Sequence, residues 1–141
     1  MAKLTISAFA DEYSSNFVEQ LKALNGYGFK FLEIRGVDGK NVSTLTKEEV
    51  KNAKALLNEY GIGVSSIGSP LGKIKLDGDM VAHLETARNV FETANELGAK
   101  YIRAFSFYLP DGKTDKECRN EVIDAVGKMV DLACEHGVTI C

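Results

Sequence analysis

Two spacings of apolar residues alternate along the chain. At three- and four-residue intervals stand Phe17, Leu21 and Leu24; then Val50, Ala53, Leu56, Leu57 and Tyr60; then Met80, Val81, Leu84, Ala87, Val90, Phe91, Ala94 and Leu97; then Val122, Val126, Met129 and Leu132. Each set forms one apolar stripe on an α-helix, so four amphipathic helices are predicted. Between the sets lie shorter apolar runs, at about Lys3 to Phe9, Phe29 to Val37, Ile62 to Ile67, Gly98 to Pro110 and Val138 to Cys141. Their length and composition predict strands.

The change from helix to strand is punctuated. Gly28, Gly61, Gly98 and Gly137 each follow a helical set, and three of them close Glu59-Tyr60-Gly61, Glu96-Leu97-Gly98 and Glu135-His136-Gly137. The residue just past a helix end often takes a left-handed conformation that costs glycine nothing. Helix starts are marked as well. Thr46-Lys47-Glu48-Glu49 and Thr114-Asp115-Lys116-Glu117 match capping boxes, and Asp79 stands where it caps the third helix. A repeat of one helix and one strand favours βα units on a parallel sheet over a solenoid. The predicted class is therefore α/β, in the order βαβαβαβα followed by part of a fifth strand. Such units close into a (β/α)8 TIM barrel when there are eight of them, in about 250 residues. Residues 1–141 hold four units and the start of a fifth strand. They read as a single domain, either half of such a barrel or an open sheet.

Strand alternation sorts the polar residues. In the run Gly98 to Pro110, read as one short buried strand, Tyr101, Arg103, Phe105 and Phe107 share one face and Ile102, Ala104 and Ser106 the other. In the second strand Leu32 and Ile34 oppose Phe31, Glu33 and Arg35. Glu33, Arg35 and Arg103 thus fall on the face away from the helices, near the strand ends where barrels carry active sites. Glu33 is expected within ion-pair reach of Arg35 or Arg103. An arginine on an apolar face needs an acid or a ligand, and both readings stay open.

Other motifs have plainer readings. Gly68-Ser69-Pro70-Leu71-Gly72-Lys73-Ile74 follows a strand as a P-loop does, but its spacing is one residue short and Ile74 stands where Mg²⁺ needs a hydroxyl. The loop is left as a turn, or as a site for a smaller anion using Lys73 and the N–H groups of Ser69 and Gly72. His83-Leu84-Glu85 lacks the P-C-x-x-C partner of zinc deaminases, and His83 is placed at the edge of the third helical stripe. His136, in a last helical turn, reads as a cap. No metal-spaced His and carboxylate cluster occurs.

Composition narrows the partners. With 45% hydrophobic and 26% charged residues the chain is ordinary for a globular protein. A net charge of −3, with scattered Lys and Arg, gives no electrostatic reason to expect nucleic acid or a membrane surface. No apolar run is long enough to span a bilayer, and Met1-Ala2-Lys3-Leu4 does not open a signal peptide. Cys118, Cys134 and Cys141 are odd in number and lack C-x-x-C spacing, so reduced thiols and a cytoplasmic location are expected.

Three segments together carry a resemblance: Phe31-Leu32-Glu33-Ile34-Arg35, then Val64-Ser65-Ser66-Ile67-Gly68-Ser69-Pro70-Leu71-Gly72-Lys73, then Tyr101-Ile102-Arg103-Ala104-Phe105-Ser106-Phe107-Tyr108. The chain resembles the amino-terminal half of the sugar phosphate isomerase/epimerase family. That family belongs to the xylose isomerase-like TIM barrels, which also include endonuclease IV. The resemblance implies a divalent metal (Mn²⁺, Mg²⁺ or Co²⁺) held by Glu, Asp and His, with a proton moved beside a sugar carbonyl. In the family the first metal-binding Glu follows the strand that begins here as Val138 to Cys141. No metal ligand, cofactor or catalytic residue is therefore assigned in this chain.

What the resemblance leaves are substrate-binding wall residues: Glu33, Arg35, Ser69, Lys73, Arg103 and Phe105. Arg103 and Lys73 would hold substrate oxygens or a phosphate, and Phe105 would form an apolar wall. The expected function is half of a metal-dependent sugar or sugar phosphate isomerase/epimerase, without a complete active site in this chain alone. Its rivals are a non-enzymatic, self-associating half-barrel and a fragment of an endonuclease IV-like repair enzyme, which the acidic balance disfavours. Open sheet edges, with Phe31, Tyr101, Phe105 and Phe107 uncovered, predict a homo-oligomer.

Overall fold

The computed structural model describes residues 4–141. Lys3, expected to start the first strand, lies outside the described residues. Along the rest, strands and helices alternate as β1 (Ser7–Ala8), α1 (Phe17–Gly26), β2 (Phe31–Ile34), β3 (Gly36–Val37), β4 (Lys40–Asn41), α2 (Lys47–Tyr60), β5 (Gly63–Gly68), α3 (Met80–Leu97), β6 (Tyr101–Arg103), α4 (Asp115–Glu135) and β7 (Thr139–Ile140). β1, β2, β5, β6 and β7 make one sheet in chain order. Every neighbouring pair in it is parallel. Four βα units and a fifth strand give half of a (β/α)8 barrel, as the alternating periods predict.

The helices begin and end where their end residues dictate. Thr46 and Thr114 each accept the N–H of the glutamate three residues on, and each glutamate reaches back, completing both capping boxes. Asp79 accepts from Ala82 N–H and starts α3 at Met80. The four repeat glycines all adopt positive φ, between 64° and 78°. His136 closes α4, its Nδ1 2.9 Å from the Leu132 carbonyl. The helices bury one stripe each against one face of the sheet, where Phe17, Leu21, Leu32, Ile34, Ile67, Val90, Phe91, Ile102 and Met129 are fully buried. Each such side chain contributes about 1.5–3 kcal/mol relative to leaving it exposed.

Four expectations need correction. The run from Phe29 to Val37 is not one strand: it breaks at Arg35, and Gly36–Val37 turns into an antiparallel hairpin with Lys40–Asn41. Asp38 (φ 49°) and Gly39 (φ 78°) form the turn, both in the left-handed region that tight hairpins demand. The run from Gly98 to Pro110 is a strand only over Tyr101–Arg103: Ala104 still bonds to Cys141 just past β7, but from Phe105 onward the chain hydrogen-bonds to the loop after β5. Phe107, at φ 71°, swings to the helix side and is buried, so it does not share a face with Phe105. On α3, Val81 is 76% exposed, and His83, four residues before buried Ala87, takes the buried position instead.

Candidate functional site at the carboxyl ends of the strands

The parallel register lines up the strand ends. Ala8 pairs with Leu32 and Ile34 with Ile67, while Gly68 pairs with Arg103. Continuing those rows brings together Phe9 after β1, Arg35 after β2, Gly68 and Ser69 at the end of β5, and Arg103 at the end of β6. A bulge between Leu32 and Glu33, where Ser65 has no counterpart, adjusts the β2–β5 register, and the Ser65 hydroxyl donates to the Leu32 carbonyl at 3.1 Å. The Phe9 ring sits between two guanidiniums, Arg35 at 4.9 Å and Arg103 at 5.4 Å from its centroid. Gly68 is what admits the ring, since a Cβ there would lie 2.7 Å from the edge of Phe9.

Arg35 and Arg103 then differ. Arg35 donates from Nε to Asp11 at 2.7 Å and from Nη2 to Glu12 at 2.6 Å. Those two carboxylates, Asp11 first, raise its pKa and lock it as a cation. Arg103 meets no carboxylate among the described residues. Its Nη2 donates to the Ser69 carbonyl at 3.1 Å, its guanidinium lies 5.0 Å from the Phe105 ring, and its buried Nε has no partner there. Lys73 brings a second cation, an ammonium, to the same ring, 4.6 Å from its centroid, and likewise enters no ion pair among the described residues. Two cations thus converge on one phenyl ring, each gaining from the negative ring face.

The loops carrying these residues are fastened to each other. The Ser69 hydroxyl donates to the Arg103 carbonyl at 2.6 Å and accepts Leu71 N–H at 3.2 Å. Phe105 N–H donates to Leu71 O, Tyr108 N–H to Ile74 O and Leu76 N–H to Tyr108 O. Gly72 (φ 80°) passes so close that a Cβ would fall 1.8 Å from the Phe105 carbonyl oxygen. Only glycine serves there, by conformation and by space.

Of the six wall residues expected from the sequence, Ser69, Lys73, Arg103 and Phe105 are brought together, and Arg35 joins them through Phe9. Glu33 does not complete a cluster. Among the described residues it pairs with neither Arg35 nor Arg103, because Asp11 and Glu12 reach Arg35 first and Arg103 turns toward Phe105. The N–H groups of Ser69 and Gly72, expected to be free for an anion, are both used inside the fold. They donate to Ile67 O at 3.0 Å and to His83 Nε2 at 2.9 Å. Phe9, Asp11 and Glu12 were missed, since along the sequence Phe9 is only the end of the first apolar run and Asp11 and Glu12 only the polar residues that follow it. The available signal was two acids level with an arginine of the adjacent parallel strand.

These residues do not fit a divalent metal. No group of three or more His, Cys, Asp or Glu placed to hold one occurs among the described residues. Asp11 and Glu12 are consumed by Arg35, which leaves Glu33 as a single carboxylate on this wall.

The comparisons with known proteins agree with this half-barrel. No curated protein matches the chain at a significant level. Among solved structures, a probable 3-DHS dehydratase of Bacillus anthracis superposes with TM-score 0.76 at 17% identity, over 97% of this chain and 51% of that one. A D-allulose 3-epimerase of Methylomonas sp. in complex with D-allulose gives TM-score 0.71 at 21% identity, over 99% and 51%. A Mycobacterium smegmatis barrel protein in complex with magnesium gives 0.67 at 19%, over 94% and 46%. The chain thus spans about half the length of the structures it matches, and at these identities the likeness is one of fold. Among the described residues no helix is long and apolar enough to cross a membrane. A family model described as xylose isomerase-like TIM barrel matches residues 21–141, and the chain belongs to that family.

Proposed function

We propose that this half-barrel supplies the substrate-holding wall of a metal-dependent sugar or sugar phosphate isomerase or epimerase. The observation that carries the reading is the pair of cations on Phe105. Arg103 and Lys73 are free of carboxylates among the described residues, and Arg103 keeps a buried donor, Nε, without a partner. Together they suit the phosphate or another oxyanion of a substrate, while Phe105 and Phe9 offer apolar surface to its carbon skeleton. Arg35, neutralised by Asp11 and Glu12, fixes Phe9 and is a supporting residue in this scheme. Ser69 orients Arg103 from behind, through its hydroxyl and its carbonyl. The metal (Mn²⁺, Mg²⁺ or Co²⁺) and the groups that move the proton are assigned to the other half of the barrel, because the donor set here does not fit them. The D-allulose complex of one structural neighbour supports a sugar as the substrate class.

Calorimetric titration tests the reading. A ketose phosphate should bind more tightly than the matching neutral ketose, and Arg103→Met should weaken the phosphate ester by about tenfold or more, the worth of one charge-assisted hydrogen bond. Equal affinity for both sugars, unchanged by Arg103→Met, would overturn it.

A further inference from the structure

Lys73 reaches Phe105 from a loop that is tied down at a histidine. His83 is 7% exposed in the first turn of α3, and its Nε2 accepts the Gly72 N–H at 2.9 Å. An N–H only donates, so Nε2 must carry a lone pair and the ring is neutral with its proton on Nδ1. The ring also meets Phe107 edge-on, at 5.8 Å between centroids and 65° between planes. The loop after β5 and the loop after β6 therefore rest on the same imidazole. We propose that neutral His83 is a positioning residue that holds Lys73 against Phe105 by accepting the Gly72 N–H, and that protonation of His83 releases this loop.

The consequence follows from the atoms. A proton on Nε2 turns the acceptor into a donor facing another donor, so the bond to Gly72 cannot survive it. Gly72 is also the residue whose backbone passes against the Phe105 carbonyl, and Lys73 is its neighbour. Of the charged groups on the elements around His83, Lys73, Lys75 and Asp77 lie on the loop it holds, Asp79 caps its own helix, and Glu85 and Arg88 follow on that helix. Asp111 and Lys113 lie on the loop after β6, and Asp115, Lys116 and Arg119 line one cleft with Phe107 at the start of α4. None of them is hydrogen-bonded or ion-paired to the imidazole in the described structure. Burial alone pushes its pKa down from the ordinary 6.5. The folded state therefore disfavours the proton. The contribution of the bond is complete above about pH 6.5 and is lost as pH falls through the lower folded value.

The importance of Lys73 rests on the proposed substrate wall, whereas the latch itself does not, and the experiment separates the two. Nuclear magnetic resonance of the wild-type protein is followed from about pH 8 to about pH 5, across the ordinary imidazole value. The Gly72 amide and the Lys73 side chain should shift with the same midpoint as the His83 ring, below 6.5. In His83→Gln the amide oxygen replaces Nε2 as an acceptor that gains no proton, so the same resonances should stay flat. A His83 ring that titrates while Gly72 and Lys73 do not follow would overturn the proposal. So would a His83→Gln protein whose loop titrates like the wild type. If His83→Gln does not fold, the wild-type titration decides alone. A latch that behaves as described beside a protein that binds no ketose phosphate would remove only the substrate-wall reading.

Discussion

Arg35 and Arg103 occupy matching positions at the ends of β2 and β6, on either side of β5, yet one is saturated with charge and the other is left with rings and a carbonyl. The difference lies in the residues after β1, where Asp11 and Glu12 are within reach of Arg35 only. The stability cost of removing each group follows. Arg35→Ala leaves Asp11, 18% exposed and with Oδ1 already unpartnered among the described residues, without its counter-ion. It should destabilise by about 1–3 kcal/mol. Glu33→Ala removes no ion pair seen in the structure and should change stability by about 0.5 kcal/mol or less. Thermal melts of the two variants read this ordering, and a Glu33→Ala protein melting below Arg35→Ala would place the ion pair where the strand alternation alone puts it.

At the scale of elements, the edges of the sheet matter most. β1 and β7 each pair on one side only among the described residues. On the face away from the helices Phe31, Tyr101 and Phe105 are 38%, 48% and 38% exposed. Unpaired strand edges beside uncovered aromatic side chains favour association. Light scattering at rising protein concentration should therefore report a dimer or larger species, and a clean monomer throughout would contradict this.

The helices were legible in the sequence to the residue in places, as in α3 from Met80 to Leu97, because caps and period are local properties. The strands were legible only as positions, since their limits depend on which neighbour offers hydrogen bonds. Arg103 and Phe105 could be picked out as a lone cation and an aromatic two residues apart in one apolar run. Phe9 and Asp11 could not, because they enter the site through a parallel register that no short-range pattern encodes. The hairpin at Val37-Asp38-Gly39-Lys40 is a different case: its Asp-Gly signal stands directly after the run read as one strand up to Val37, and that reading hid the first arm of the hairpin. Phe107 escaped because a positive φ reverses the alternation on which its assignment relied.

For the molecule as a whole, the half-barrel turns one face to its helices and presents the other as a wall whose upper rim carries Arg103, Lys73, Phe105 and Phe9. That rim is the central claim, and it is local enough to be read residue by residue. The most direct measurement is an amide and side-chain resonance titration of the protein with a ketose phosphate, with the neutral ketose run beside it. The account predicts that the phosphate ester perturbs Arg103 Nε, Lys73 and Phe105, reaches Phe9 more weakly, and leaves the outer helices unmoved, while the neutral sugar does much less. Perturbations centred on the outer helices, or equal effects from both sugars, would contradict it.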